Sequence, residues 1–97
     1  MIYHITTQQQ WNAAKEIGFF EEPSLHTEGF LHNCTLPQVE GVLSRYYKGQ
    51  TDLVLLHIEE SNLIAELKYE LAPSVNEIFP HIFGNINLDA VVKITDI

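Results

Sequence analysis

Apolar and polar positions alternate from the start of the chain. Ile2, His4 and Thr6 fall on one side of an extended segment, and Tyr3 and Ile5 fall on the other. Thr6 or Thr7 then caps a helix from Gln8 to Ile17. Trp11, Ala14 and the neighbouring Ile17 form its inward stripe, and Gly18 takes the left-handed position at its end. Residues 19–28 show no clear period and contain the turn signal Pro23-Ser24, so they read as a loop. Gly29 to Cys34 reads as the second strand. Thr35 caps a further helix, with Pro37 in its first turn and Gln38 three positions on, close to a capping box. Val39, Val42, Leu43 and Tyr46 recur at helical spacing, and Gly49 ends that segment.

The second half is mostly extended. Asp52 to Ile58, with the run Leu53-Val54-Leu55-Leu56, predicts a strand buried on both faces. Residues 61–65 suit one short turn. Glu66, Lys68 and Glu70 alternate with Leu67, Tyr69 and Leu71, as in a half-buried strand. Residues 72–87, including Phe79-Pro80-His81-Ile82-Phe83-Gly84, read as a long ordered loop, and Ala90 to Ile97 as the last strand. Two helices near the N-terminus and strands mostly toward the C-terminus predict an α+β fold rather than a βαβ repeat. Its 97 residues suffice for one domain over 1–97 with one modest core.

Charge narrows the partners. Five basic residues stand against 13 acidic ones, and Arg45 is the sole arginine. Counterion release needs several cations on one surface, so no general binding to duplex nucleic acid is expected. The longest apolar runs are too short to span a bilayer. MIYHITT has no basic or apolar leader pattern, and a lone Cys34 suits a reducing compartment, so the expected location is the cytoplasm.

Five histidines carry the candidate chemistry: His4, His26, His32, His57 and His81. Histidine titrates near neutrality, ligates metals and donates from either nitrogen. No two share i, i+4 spacing. If the strands of His4 and His32 pair, both rings can face one cleft, with His81 covering it from its aromatic loop. The competing reading makes each a satisfied core or surface histidine. A metal-dependent hydrolase would use His4, His32 and His81 as ligands, with Glu28 or Asp89 nearby, although no spacing specifies it. Cys34 shares a strand face with His32 but has no cationic neighbour to lower its pKa, and reads as a small buried apolar residue. Tyr3, Phe79 and Phe83 can stack on a planar ring or pack in the core. There is no phosphate-binding glycine motif and no nucleophile elbow around Ser24.

Four blocks gather these residues: IYHIT at 2–6, EGFLHNCT at 28–35, DLVLLHI at 52–58 and FPHIFGNINLDAVV at 79–92. In that order they resemble the DUF952 family of small bacterial and plant proteins, over nearly the whole chain. The resemblance implies a fold similar to the ADP-ribosyltransferases, a small split β-sandwich, antiparallel or mixed, with a cleft for NAD. Within that superfamily the opening resembles the RNA 2′-phosphotransferases, whose YHGT-like and VHLS-like strands line the cleft. By position His4 and His32 match the two motif histidines. The implied catalytic set is His4, His32 and His81. The implied nucleotide contacts are Tyr3, Thr6, Ser24, Thr35 and Phe79. The chain departs from those relatives in lacking their phosphate-gripping arginines and a clear late-strand glutamate; His81 and Asp89 are the candidates there. The implied function is binding of NAD or another ADP-ribose-containing nucleotide. A non-catalytic binding module with the same cleft is the alternative. A His4→Ala, His32→Ala double variant is expected to fold and to lose nucleotide binding.

Overall fold

A computed structural model describes residues Met1–Ile97, and in it the N-terminal alternation becomes strand β1 (Ile2–Thr7). The Thr7 hydroxyl accepts the Gln10 N–H at 3.1 Å, which starts helix α1 (Gln8–Ile17). Gly18 ends it at φ 95°, where a side chain would be strained. The apolar run becomes β4 (Leu53–Ile58), antiparallel to β1. The last strand, β8 (Val91–Asp96), pairs on the other side of β4, giving the order β1-β4-β8.

Period-two geometry sends the side chains of this sheet into two cores. Ile2, Val54, Leu56 and Ile58 join Trp11 and Ala14 of α1 on one side. Tyr3, Ile5, Leu53 and Leu55 meet Cys34 and Phe79 on the other. Burial on both faces is therefore the correct reading of the LVLL run. Helix α3 (Val39–Tyr46) covers the second core with Val39, Val42 and Leu43. Gln38 Oε1 accepts the Thr35 N–H at 2.9 Å, so Thr35 is the predicted cap, ahead of one 3-10 turn. The helix stops at Tyr46, short of Gly49.

Three readings are corrected. Residues 19–28 hold a two-residue strand β2 (Phe19–Phe20) and a short helix α2 (Pro23–Thr27), which makes three helices in the first half rather than two. Residues 72–87 are not a loop, because they contain β6 (Glu77–Ile82) and β7 (Ile86–Asn87). The strand expected over Gly29–Cys34 shrinks to β3 (Leu31–His32). Pro80 accounts for two of these. A proline argues against a central strand, yet β6 lies between β3 and β5 (Leu67–Ala72). Asn33 donates its N–H to the Pro80 carbonyl at 3.1 Å, and proline has no N–H to return. The β3–β6 ladder stops there after Leu31↔Ile82 and His32↔His81.

Every ladder is antiparallel, and β2–β7 forms a separate ribbon. The two larger sheets touch through one bridge between Tyr3, on the free edge of β1, and Cys34. They diverge beyond it. The Cα radius of gyration, 12.6 Å, is that of one folded unit of this length. No helix is long and apolar enough to cross a membrane.

Candidate functional site

A cleft of about 520 Å³ opens where the two sheets part. Tyr3 and His4 of β1, Glu22 and Ser24 at the start of α2, and Phe30, His32 and Asn33 of the β3 segment lie along one part of its lining. Val42 and Tyr46 of α3, Tyr47 after it, and Leu71, Phe79 and His81 of β5 and β6 supply the rest. Six of the eight expected site residues are thus brought together: His4, His32, His81, Tyr3, Ser24 and Phe79.

The other two are not. Thr6 is buried and gives its hydroxyl hydrogen to Gln10 Oε1 at 2.7 Å, while Thr35 is occupied as a cap; neither lines the cleft. The neighbouring residues Asn33 and Cys34 lie along the lining instead.

The three histidines differ in their surroundings. His4 is 2% exposed. Its Nδ1 lies 2.6 Å from the His32 carbonyl, and its Nε2 lies 3.0 Å from Glu22 Oε1. Both ring nitrogens are therefore engaged, one with a backbone carbonyl and one with a carboxylate. His4 thereby joins β1, β3 and the entry to α2, rather than presenting a free nitrogen to a ligand. Phe20 packs edge-on against it, with centroids 5.1 Å apart.

His81 is nearly buried. Its Nδ1 meets Glu70 Oε1 at 2.8 Å, which fixes the ring and leaves Nε2 uncommitted. Phe30 stacks on it at 4.0 Å and 18°, and its edge meets His32 at 4.9 Å. His32 stands at the surface with its side chain 56% exposed, beside Glu28, its partner one helical-type step back. His26 pairs with Glu21 in solvent, and His57 bonds Thr95 within the first sheet, so neither belongs to the site.

Burial alone would raise the Glu22 carboxyl, but the hydrogen bond and charge of His4, followed by smaller contributions from Thr6 and His32, together outweigh it and hold the group below the ordinary carboxylate value. The sign follows. A carboxylate with a depressed folded pKa stabilises above its unfolded value, and that contribution is lost as pH falls through the folded one. Glu22→Gln is therefore expected to destabilise the protein by about 1–3 kcal/mol at pH 7. Urea melts should show the gap between wild type and variant closing toward pH 3; a gap independent of pH would show that Glu22 is not ionised in the fold.

Burial pushes the Cys34 thiol up to about 11, which removes it as a nucleophile. Burial, followed by the charge of Glu22, raises the Tyr47 phenol, so it stays a neutral donor to the Ile5 carbonyl. No group of three or more His, Cys, Asp or Glu side chains is placed to hold a metal ion. Both nitrogens of His4 are already engaged, Glu28 pairs with His32, and Asp89 does not line the cleft. The residues do not fit the metal-hydrolase reading.

Sequence reasoning missed Glu22, Phe30 and Asn33. The signal for Glu22 was its place before Pro23, an acidic residue at the start of a helix too short to show periodicity. For Phe30 and Asn33 only their neighbourhood to His32 was visible.

The model of the family "Protein of unknown function (DUF952)" matches residues 5–94, and the chain belongs to this family. Its structure is similar to protein CC0527 from Caulobacter crescentus. The crystal structures of that protein and of a double mutant superpose with TM-scores of 0.88 and 0.87 at 31% and 30% identity. Its solution NMR structure gives 0.83 at 31%. Each alignment covers 98% of this chain and 82–83% of the other. A search of curated proteins finds no match.

Proposed function

We propose that this chain is a cytoplasmic, ADP-ribosyltransferase-like domain that binds NAD or another ADP-ribose-containing nucleotide in the cleft between its sheets. The observation that supports the reading is the meeting of residues far apart in sequence, His4, Glu22, His32 and His81, around one hollow. Its volume lies within the range of about 300–1,000 Å³ usual for small-molecule sites. Phe79 and Tyr3 offer apolar surface for a planar ring. His81, braced by Glu70 through Nδ1, leaves Nε2 for a ligand, and His32, exposed and held only by Glu28, stands at the mouth. The His4–Glu22 pair holds the cleft in shape. In a transferase, NAD would supply the ADP-ribosyl group to an acceptor and release nicotinamide, and these residues would orient it and exclude water.

A non-catalytic binding module is the second reading, and one observation favours it. No lysine or arginine lines the cleft, and Arg45 is paired with Glu77 at 3.4 Å. A pyrophosphate there would rely on backbone N–H groups and imidazoles.

Calorimetric titration with NAD and ADP-ribose, followed by product analysis, tests both. Binding is expected to weaken about tenfold in His32→Ala, whose exposed ring can be removed without loss of fold. Release of nicotinamide points to the transferase, and binding without release to the module. Absence of binding by either nucleotide rejects the proposal.

A further inference from the structure

Strand register sets one imidazole of the cleft apart from the others. Phe79 and His81 are two residues apart on β6, so their side chains point to the same face, and both line the cleft. Glu70 of β5 lies opposite Phe79, one diagonal step from His81, and its Oε1 meets His81 Nδ1 at 2.8 Å. Phe30 stacks on the ring at 4.0 Å, and His32 stands across the β3–β6 ladder with ring centroids 5.5 Å apart. Lys68, opposite His81 on β5, pairs instead with Glu66 at 3.7 Å and lies over the Phe83 ring.

An ionised carboxylate only accepts hydrogen bonds, so the neutral ring carries its proton on Nδ1 and a lone pair on Nε2. Nε2 bonds nothing in the protein. The unpaired side-chain polar atoms sealed from solvent are Ser24 Oγ and Asn33 Oδ1, and His81 Nε2 is not one of them. The ring is thus fixed at one nitrogen and reachable at the other. A carboxylate that sets the tautomer, with a reachable lone pair across the ring, is the arrangement of a general base. His4 lacks it, because both its nitrogens are engaged. His32 lacks the fixed ring, because it meets Glu28 in solvent.

We propose that His81 is the general base of this cleft, with Glu70 as its positioning residue, and that the acceptor is a neutral alcohol hydroxyl. The proposal rests on the nucleotide reading of the cleft and adds the acceptor and the group that deprotonates it. An acceptor carboxylate would meet Glu22 in the lining. An ammonium or guanidinium holds its proton too tightly for an imidazole to take. The apolar wall of Val42, Leu71 and Phe79 suits the carbon skeleton of an alcohol. His81 Nε2 takes the hydroxyl proton as the oxygen bonds to the ribosyl C1″ of NAD. The bond from C1″ to nicotinamide breaks with its electron pair going to nicotinamide, which leaves neutral, and the proton passes from Nε2 to solvent.

Two measurements on the full chain test this. Long-range 1H–15N NMR at about pH 8.5, where an ordinary imidazole is neutral, reads the tautomer of His81. The proton is expected on Nδ1 in wild type and in Glu70→Gln, whose amide oxygen still accepts, and largely on Nε2 in Glu70→Ala. The Glu70 side chain is 43% exposed, so both variants should fold as wild type does. The second measurement is nicotinamide release from NAD in aqueous methanol or glycerol, with calorimetry for NAD binding. Release is expected with an alcohol adduct of ADP-ribose as product. His81→Gln should lower kcat by about a hundredfold or more with KM nearly unchanged. Glu70→Ala should lower it about tenfold or more, and Glu70→Gln should recover part of that loss. A wild-type proton on Nε2, or undiminished release by His81→Gln, would overturn the base. Free ADP-ribose without an alcohol adduct would overturn the acceptor. NAD binding without release in either alcohol defeats the proposal and leaves the nucleotide reading standing, and absence of NAD binding ends both.

Discussion

Replacement of His4 by alanine is expected to lower stability by about 3–5 kcal/mol, because it removes a buried ring and leaves two hydrogen-bond partners unmatched. For a domain of this size that is a fall in melting temperature on the order of 15–25 °C. The substitution leaves the His32 carbonyl without its 2.6 Å partner and Glu22 without its 3.0 Å one. It also opens a hole beside Phe20. His4→Asn keeps a donor near the Nδ1 position and should recover part of the loss. Thermal denaturation of the three proteins measures this; a fall below about 3 °C for His4→Ala would mean that the ring holds nothing together. The double replacement of His4 and His32, attractive from the sequence as a binding test, is therefore a stability test first. His32→Ala alone is the cleaner probe of the cleft, because of the three histidines that line it only His32 has its ring in solvent.

Phe20→Ala should cost a similar amount, about 3–5 kcal/mol, since truncating a buried aromatic removes transfer energy and leaves a cavity. Phe20 is 1% exposed and packs in the core with Ile86, its partner across the β2–β7 ribbon. Its neighbour Phe19 is only half-buried and should cost clearly less. Equilibrium unfolding in urea gives both values. A loss under about 1 kcal/mol for Phe20→Ala would contradict the packing of the ribbon on the core. Phe20 touches His4, so the two alanine substitutions should not add, and the double variant should fall short of the sum.

The misreadings have a common physical source. Phe19-Phe20 and Ile86-Asn87 are too short to show alternation, and each becomes a strand only by meeting the other. Helix α2 spans five residues, and no inward stripe develops over that length. Pro80 made Glu77–Ile82 look like a loop, because local sequence cannot tell which neighbouring strand the missing N–H would face. The cleft follows the same rule. Glu28 and His32 are close in sequence, but Glu22–His4 and Glu70–His81 are pairs made by folding, as is the stack of Phe30 on His81.

Local order along the chain was enough to establish helix α1 with a cap at Thr6 or Thr7 and its Gly18 end, the Thr35–Gln38 cap of the next helical segment, the doubly buried β4 strand and the α+β class, while the structure chose Thr7. Each depends on spacings of a few residues, where period and cap chemistry act. Tertiary structure alone decided that His4 is a brace between the His32 carbonyl and Glu22, that His32 is the exposed ring of the cleft, and that Glu70 fixes His81. The reason is that hydrogen-bond partners and exposure depend on residues remote in sequence, and no local pattern encodes which of them will arrive.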